Sequence, residues 1–108
     1  MTPPALSAHE LSLIAGVFRR HPEVVAAKLF GSRAKGTSTP RSDVDLAVWG
    51  DVDELRAEGI AAELDELPLP WRFEVKPFAL IKLHTLRDHI ERVGIAVYPE
   101  ALAPNVAV

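Results

Sequence analysis

Asp43 and Asp45, two residues apart, and a Gly31-Ser32 pair upstream of them are the residues of this chain best placed to do chemistry together. They fall in GSRAKGTSTPRSDVDL, residues 31–46, between two apolar runs. Alternate side chains of an extended strand share a face, so the two aspartates present their carboxylates side by side, about 6–7 Å apart at the backbone. The adjacent charges repel, and a divalent cation between them relieves the repulsion. Carboxylate oxygens are the ligands that Mg²⁺ takes, with waters and substrate phosphates completing its octahedron. A glycine at the end of a strand lets the backbone approach a ligand closely, and successive amides of such a turn form an anion nest. One patch would then hold phosphates on one side and their metal on the other. For D-x-D alone, a solvated strand face is the plain alternative; the Gly-Ser turn beside it favours the binding site.

The nearest decoy is the phosphate loop G-x-x-x-x-G-K-[ST], because Gly31 and Gly36 have its separation and Lys35 is close by. Thr37 stands where the lysine must reach the phosphates, and a loop containing Pro40 follows where that motif needs a helix. His9, His21, His84 and His89 offer no i, i+4 ligand pair. Trp49 and Trp71 lie at strand ends and read as core or interface residues, and Tyr98 reads as a packing residue. The acidic run DVDELRAEGIAAELDEL reads as a solvated helix face, which on a partner-binding protein would also meet a basic surface.

The elements that position these groups are legible by period. Ser7 to Glu10 form a capping box that starts a helix, with Leu11, Ile14 and Phe18 on one stripe and Pro22 stopping it after His21. VVAAKLF, Val24 to Phe30, reads as a strand buried on at least one face, running into Gly31. A loop follows, with one helical turn near Ser32 to Lys35. DVDLAVW is a second strand with Val44, Leu46 and Val48 on one face and Asp43, Asp45 and Ala47 on the other. Asp51 to Leu67 reads as a helix with Leu55, Ile60, Leu64 and Leu67 on a broad stripe, ended by Pro68 and Pro70. WRFEVKPF is a third strand with Phe73 and Val75 inward, Arg72, Glu74 and Lys76 outward, and Pro77 marking its exit or an edge. Leu86, Ile90 and Val93 describe a third helix closed by Gly94, and IAVYPE a last short strand. Helix, strand, loop, strand, helix, strand, helix, strand is the order of a small α/β sheet domain.

Bulk properties narrow the function classes. With 108 residues, 48 % hydrophobic and 25 % charged, the chain is expected to form one domain over residues 1–108, with 1–6 and 101–108 as tails. A formal charge of −3 offers no general attraction to nucleic acid or an anionic membrane, so an anionic ligand must be held locally. The absence of cysteine excludes disulfides, thiolate metal sites and a cysteine nucleophile. MTPPALSAHE has neither the basic nor the apolar region of a signal peptide, and no apolar run approaches the roughly 20 residues that span a bilayer. The expected compartment is the cytoplasm.

Gly31-Ser32, ten residues, then Asp43-Val44-Asp45 resembles the motif of the nucleotidyltransferase superfamily typified by DNA polymerase beta. GSRAKGTSTPRSDVDLAV, a later-strand carboxylate and the closing HIERVGIAVY look like its minimal nucleotidyltransferase branch. The resemblance implies the polymerase beta-like fold, a small mixed β-sheet flanked by helices. It implies that Asp43 and Asp45 bridge two Mg²⁺ ions and that Glu74 holds one of them, three catalytic and metal-binding acids in all. The family's third acid is usually aspartate, so Glu74, one methylene longer, departs from the pattern and puts activity in question. Gly31 and Ser32 would hold the β- and γ-phosphates of ATP; Arg33, Lys35 and Ser42, with Arg41, are further nucleotide contacts or solvated loop residues. Members of this branch are paired with HEPN-domain toxins, which they silence by moving AMP from ATP onto a toxin tyrosine. That is the function expected here. The alternatives are an antitoxin acting by binding alone and a transferase for a small molecule such as an aminoglycoside.

Overall fold

The structure, a computed structural model, describes residues 6–31 and 43–99. The expected turn at Ser32 to Lys35 and the terminal tails fall outside them, except Leu6, which is buried in the core. The elements in chain order are α1 (Ala8–Arg19), β1 (Val24–Phe30), β2 (Val44–Gly50), α2 (Glu54–Asp65), β3 (Phe73–Pro77), a 3₁₀ turn (Phe78–Leu80), α3 (His84–Val93) and β4 (Ile95–Tyr98). The four strands form one sheet in the order β3-β2-β1-β4. β1 pairs antiparallel with β2 and β4, whereas β2 and β3 run parallel, joined through α2. The sheet is therefore mixed, as the family resemblance implied, within the α/β order of elements read from the sequence.

Each face of the sheet has its own cover. Val44, Leu46 and Val48 of β2 and Leu29 of β1 point toward α1 and α2, where Ile14, Phe18, Ile60 and Leu64 complete the main core. On the other face Phe30 and Ala47 pack with Phe78 and Ile90 in a smaller cluster. The carboxylate-bearing face is thus apolar over part of its area and open over the rest. Trp49, two residues beyond Ala47 on this face, stacks on Phe78 with ring centroids 4.5 Å apart. The Arg87 guanidinium lies 4.4 Å from the Phe78 ring centroid and donates to the carbonyls of Phe78 (2.9 Å) and Ile81 (3.0 Å). This pins the chain between β3 and α3.

α1 begins with the expected reciprocal capping box of Ser7 and Glu10, which satisfies two amides that have no partner within the helix. It ends at Arg19, with Arg20 as its C-cap, rather than running to His21, which meets Glu63 of α2 at 2.6 Å. α2 is shorter than the span from Asp51 to Leu67, with Asp53 as its N-cap. Its buried stripe is Ala57, Ile60 and Leu64, and Leu55, expected on it, is 77 % exposed. Likewise Ile90 is the buried anchor of α3, while Val93 is 40 % exposed. Gly94 caps α3 without a left-handed backbone; a Cβ there would collide with the Ile90 carbonyl oxygen, so close approach is what selects glycine.

Candidate active site

Strand register brings the acidic residues to one end of the sheet. Asp45 lies directly opposite Phe30 of β1 on one side and Glu74 of β3 on the other. Residues paired across strands project from the same face, so Asp45 and Glu74 stand next to each other while Val44 and Leu46 enter the core. The two carboxyl groups share a hydrogen bond. Asp43, just before β2, is exposed, and its charge still acts on Asp45.

Gly31 closes the other side. It follows β1 with φ of 79°, a conformation that disfavours any side chain. A Cβ there would stand 2.5 Å from Oδ2 of Asp45. The glycine therefore serves twice: it permits the turn, and its bare Cα leaves the space that the Asp45 carboxylate fills. Its presence beside the turn is legible in the sequence; its contact with Asp45 is not, because it depends on the β1–β2 register.

Electrostatics follow from this crowding. Partial burial, the hydrogen bond with Glu74 and the negative charges of Glu74 and Asp43 push the Asp45 carboxyl up from its ordinary 3.8 to about 6, against the opposing pull of Lys76. Like charges compressed in this way favour either a proton or a cation between them. Among the described residues no three His, Cys, Asp or Glu side chains form a group able to hold a metal ion. The donor chemistry still fits Mg²⁺, which is usually bound by one or two carboxylates together with waters and substrate phosphates rather than by an all-protein cage. Asp45 and Glu74 are such a pair. Ser32, Arg33, Lys35, Arg41 and Ser42 lie outside the described residues.

A profile described as polymerase beta, nucleotidyltransferase matches residues 13–101, most of the chain. The chain belongs to this nucleotidyltransferase family. It is 26 % identical over 94 residues to a probable protein adenylyltransferase, MntA, of Haemophilus influenzae, covering 85 % of this chain and 82 % of that protein. A toxin–antitoxin crystal structure with AMP-PNP superposes with a TM-score of 0.68 at 20 % identity, over 86 % of this chain and 73 % of the other. The MNT antitoxin in complex with a tri-AMPylated HEPN toxin from Shewanella oneidensis superposes with a TM-score of 0.65 at 18 % identity, over 83 % and 70 %. These structures share the fold of the nucleotidyltransferase domain described here, with its mixed sheet and flanking helices. Among the described residues, no helix is long and apolar enough to cross a membrane.

Proposed function

We propose that this nucleotidyltransferase is a Mg²⁺-dependent protein adenylyltransferase that serves as an antitoxin, moving AMP from ATP to a tyrosine hydroxyl of a HEPN-domain toxin in the cytoplasm. The observation that carries the reading is the pairing of Asp45 with Glu74 against the bare Cα of Gly31. The likeness to MntA and to toxin–antitoxin complexes supports the choice of acceptor.

In this reading Gly31 and Ser32 hold the β- and γ-phosphates, and Asp43, Asp45 and Glu74 would hold two Mg²⁺ ions. Bound magnesium supplies charge neutralisation at the attacking and leaving oxygens of an in-line displacement. The chain's own residues do the rest. Asp45, hemmed in by Gly31 and β3, fixes where the α-phosphate stands. Glu74, on the outer strand β3, would help draw the proton from the acceptor hydroxyl. The acceptor oxygen bonds to the α-phosphorus as the bond to the bridging oxygen breaks, and pyrophosphate leaves with that electron pair. Incubation with the proposed HEPN-domain toxin, Mg²⁺ and α-labelled ATP should transfer label to a tyrosine of that toxin. No label on the partner would contradict the proposal.

The departure from aspartate at Glu74 favours one second reading, an antitoxin that silences its toxin by contact alone. Its longer side chain shifts the carboxylate by more than about 1 Å, and misplacement on that scale costs catalysis heavily.

A further inference from the structure

A groove of about 390 Å³ borders the outermost strand, β3, between α2 and the segment leading into α3. Buried Ala57 and Pro77 and half-buried Val75 line it from within the fold, while Leu80 and Leu83 also line it and are 47 % and 63 % exposed. Apolar side chains gathered in one concavity, unlike single exposed ones, mark an interaction surface. The charged groups at its margin differ by element. Glu54 and Glu58, one turn apart on α2 and both exposed, supply the negative charge, and Lys82, also exposed, lies on the segment that carries the leucines. The Arg87 hydrogen bonds to Phe78 and Ile81 hold that segment in place.

We propose that this groove docks an amphipathic helix of the toxin, with its apolar stripe on Leu80 and Leu83, Lys or Arg side chains toward Glu54 and Glu58, and an acidic residue toward Lys82. The docking site presupposes the antitoxin reading above. Val75 and Lys76 directly follow Glu74 on β3, so a partner seated here stands beside the candidate active site. An added strand is a poorer occupant. The Val44 amide donates to the Arg72 carbonyl, so in this parallel pair Arg72, Glu74 and Lys76 direct their backbone groups to β2, and Phe73, Val75 and Pro77 direct theirs outward. The Phe73 amide is taken by Asp65 at 2.9 Å, and proline has none to give. At most one outward amide of β3, that of Val75, is left for a ladder. Side chains therefore decide the contact, as they do when a helix lies in a groove. A second copy of this chain is also disfavoured, because α1, α2 and α3 turn their apolar stripes into their own cores.

Calorimetric titration of the intact chain with the proposed HEPN-domain toxin tests this. Leu80→Asp should weaken the complex by about tenfold or more, as for an apolar anchor at an interface. The double change Glu54→Lys and Glu58→Lys should weaken it at low salt and remove most of the salt dependence seen with wild type. Both variants alter exposed side chains and should melt as wild type does. Hydrogen exchange in the complex should protect a toxin segment whose apolar residues recur at i, i+3 or i+4, and i+7. Unchanged affinity in either variant would overturn the docking site and leave the antitoxin reading standing. So would a protected toxin segment with strictly alternating apolar residues, or a wild-type dimer that Leu80→Asp dissolves while toxin binding persists. Failure of the wild-type chain to bind the toxin at all would refute the antitoxin reading itself, and the docking site with it.

Discussion

Asp45 is under opposing demands. Its surroundings penalise the charge that the proposed metal-binding role requires, and its carboxyl is pushed up to about 6 from 3.8. The folded chain therefore binds more protons than the unfolded chain between those values, and stability without divalent ions should fall as pH rises from about 4 to about 6 and level off above. Thermal melts in EDTA across that range check the sign. Asp45→Asn removes the penalty, so the variant should melt higher than wild type at pH 7 in EDTA, lose most of the pH slope, and transfer no nucleotide. A variant no more stable than wild type would show that the carboxylates are not compressed. Gly31→Ala is the complementary change. Its Cβ would press on Oδ2 of Asp45 and force a side chain into the left-handed region, at a cost of about 1–2 kcal/mol. Denaturant unfolding should show that loss, and the transfer assay a larger drop in rate than the destabilisation explains.

At the scale of elements, one polar tie anchors the segment leading into α3 and another joins α1 to α2. Arg87 anchors the 3₁₀ turn and the segment leading into α3 through two backbone carbonyls. Arg87→Ala should lower stability by about 1–3 kcal/mol, as expected for hydrogen bonds to a charged group, and denaturant titration measures it. His21 at the end of α1 meets Glu63 of α2 at 2.6 Å, with Arg20 at 3.2 Å from the same carboxylate. Burial raises the Glu63 carboxyl somewhat, but the hydrogen bonds from His21 and Arg20 outweigh it and hold the group below its ordinary 4.5. A depressed carboxylate stabilises the fold above its unfolded value and loses that contribution as pH falls through the folded one. Glu63→Gln should therefore lower the melting temperature at neutral pH and converge with wild type in acid.

For the whole molecule, what could be read from sequence follows the range of the interaction concerned. The capping box of Ser7 and Glu10 is local, and the alternation of Val44, Leu46 and Val48 needs only strand periodicity, so both stand as expected. Leu55 misleads because α2 rests on the sheet through Ala57, whose small side chain adds little to an apolar stripe, while the larger leucine faces water. The pairing of Asp45 with Glu74 needs the order of strands, and the space under Gly31 needs their register; neither is local. Arg87 was invisible for a different reason: its partners are carbonyls, which every residue carries. The family resemblance supplied Glu74 where periodicity could only place it on the outward face of β3.

In the proposed function, carboxylates at the Gly31 end of the sheet act as chemical groups rather than as surface charge. Changing Asp43 and Asp45 together to asparagine, in the α-labelled ATP assay with the proposed HEPN-domain partner and Mg²⁺, tests that most directly, with complex formation followed by gel filtration. The expected result is an intact complex, no label on the partner and loss of protection against the toxin. Continued labelling, or protection that survives the double change, would contradict it.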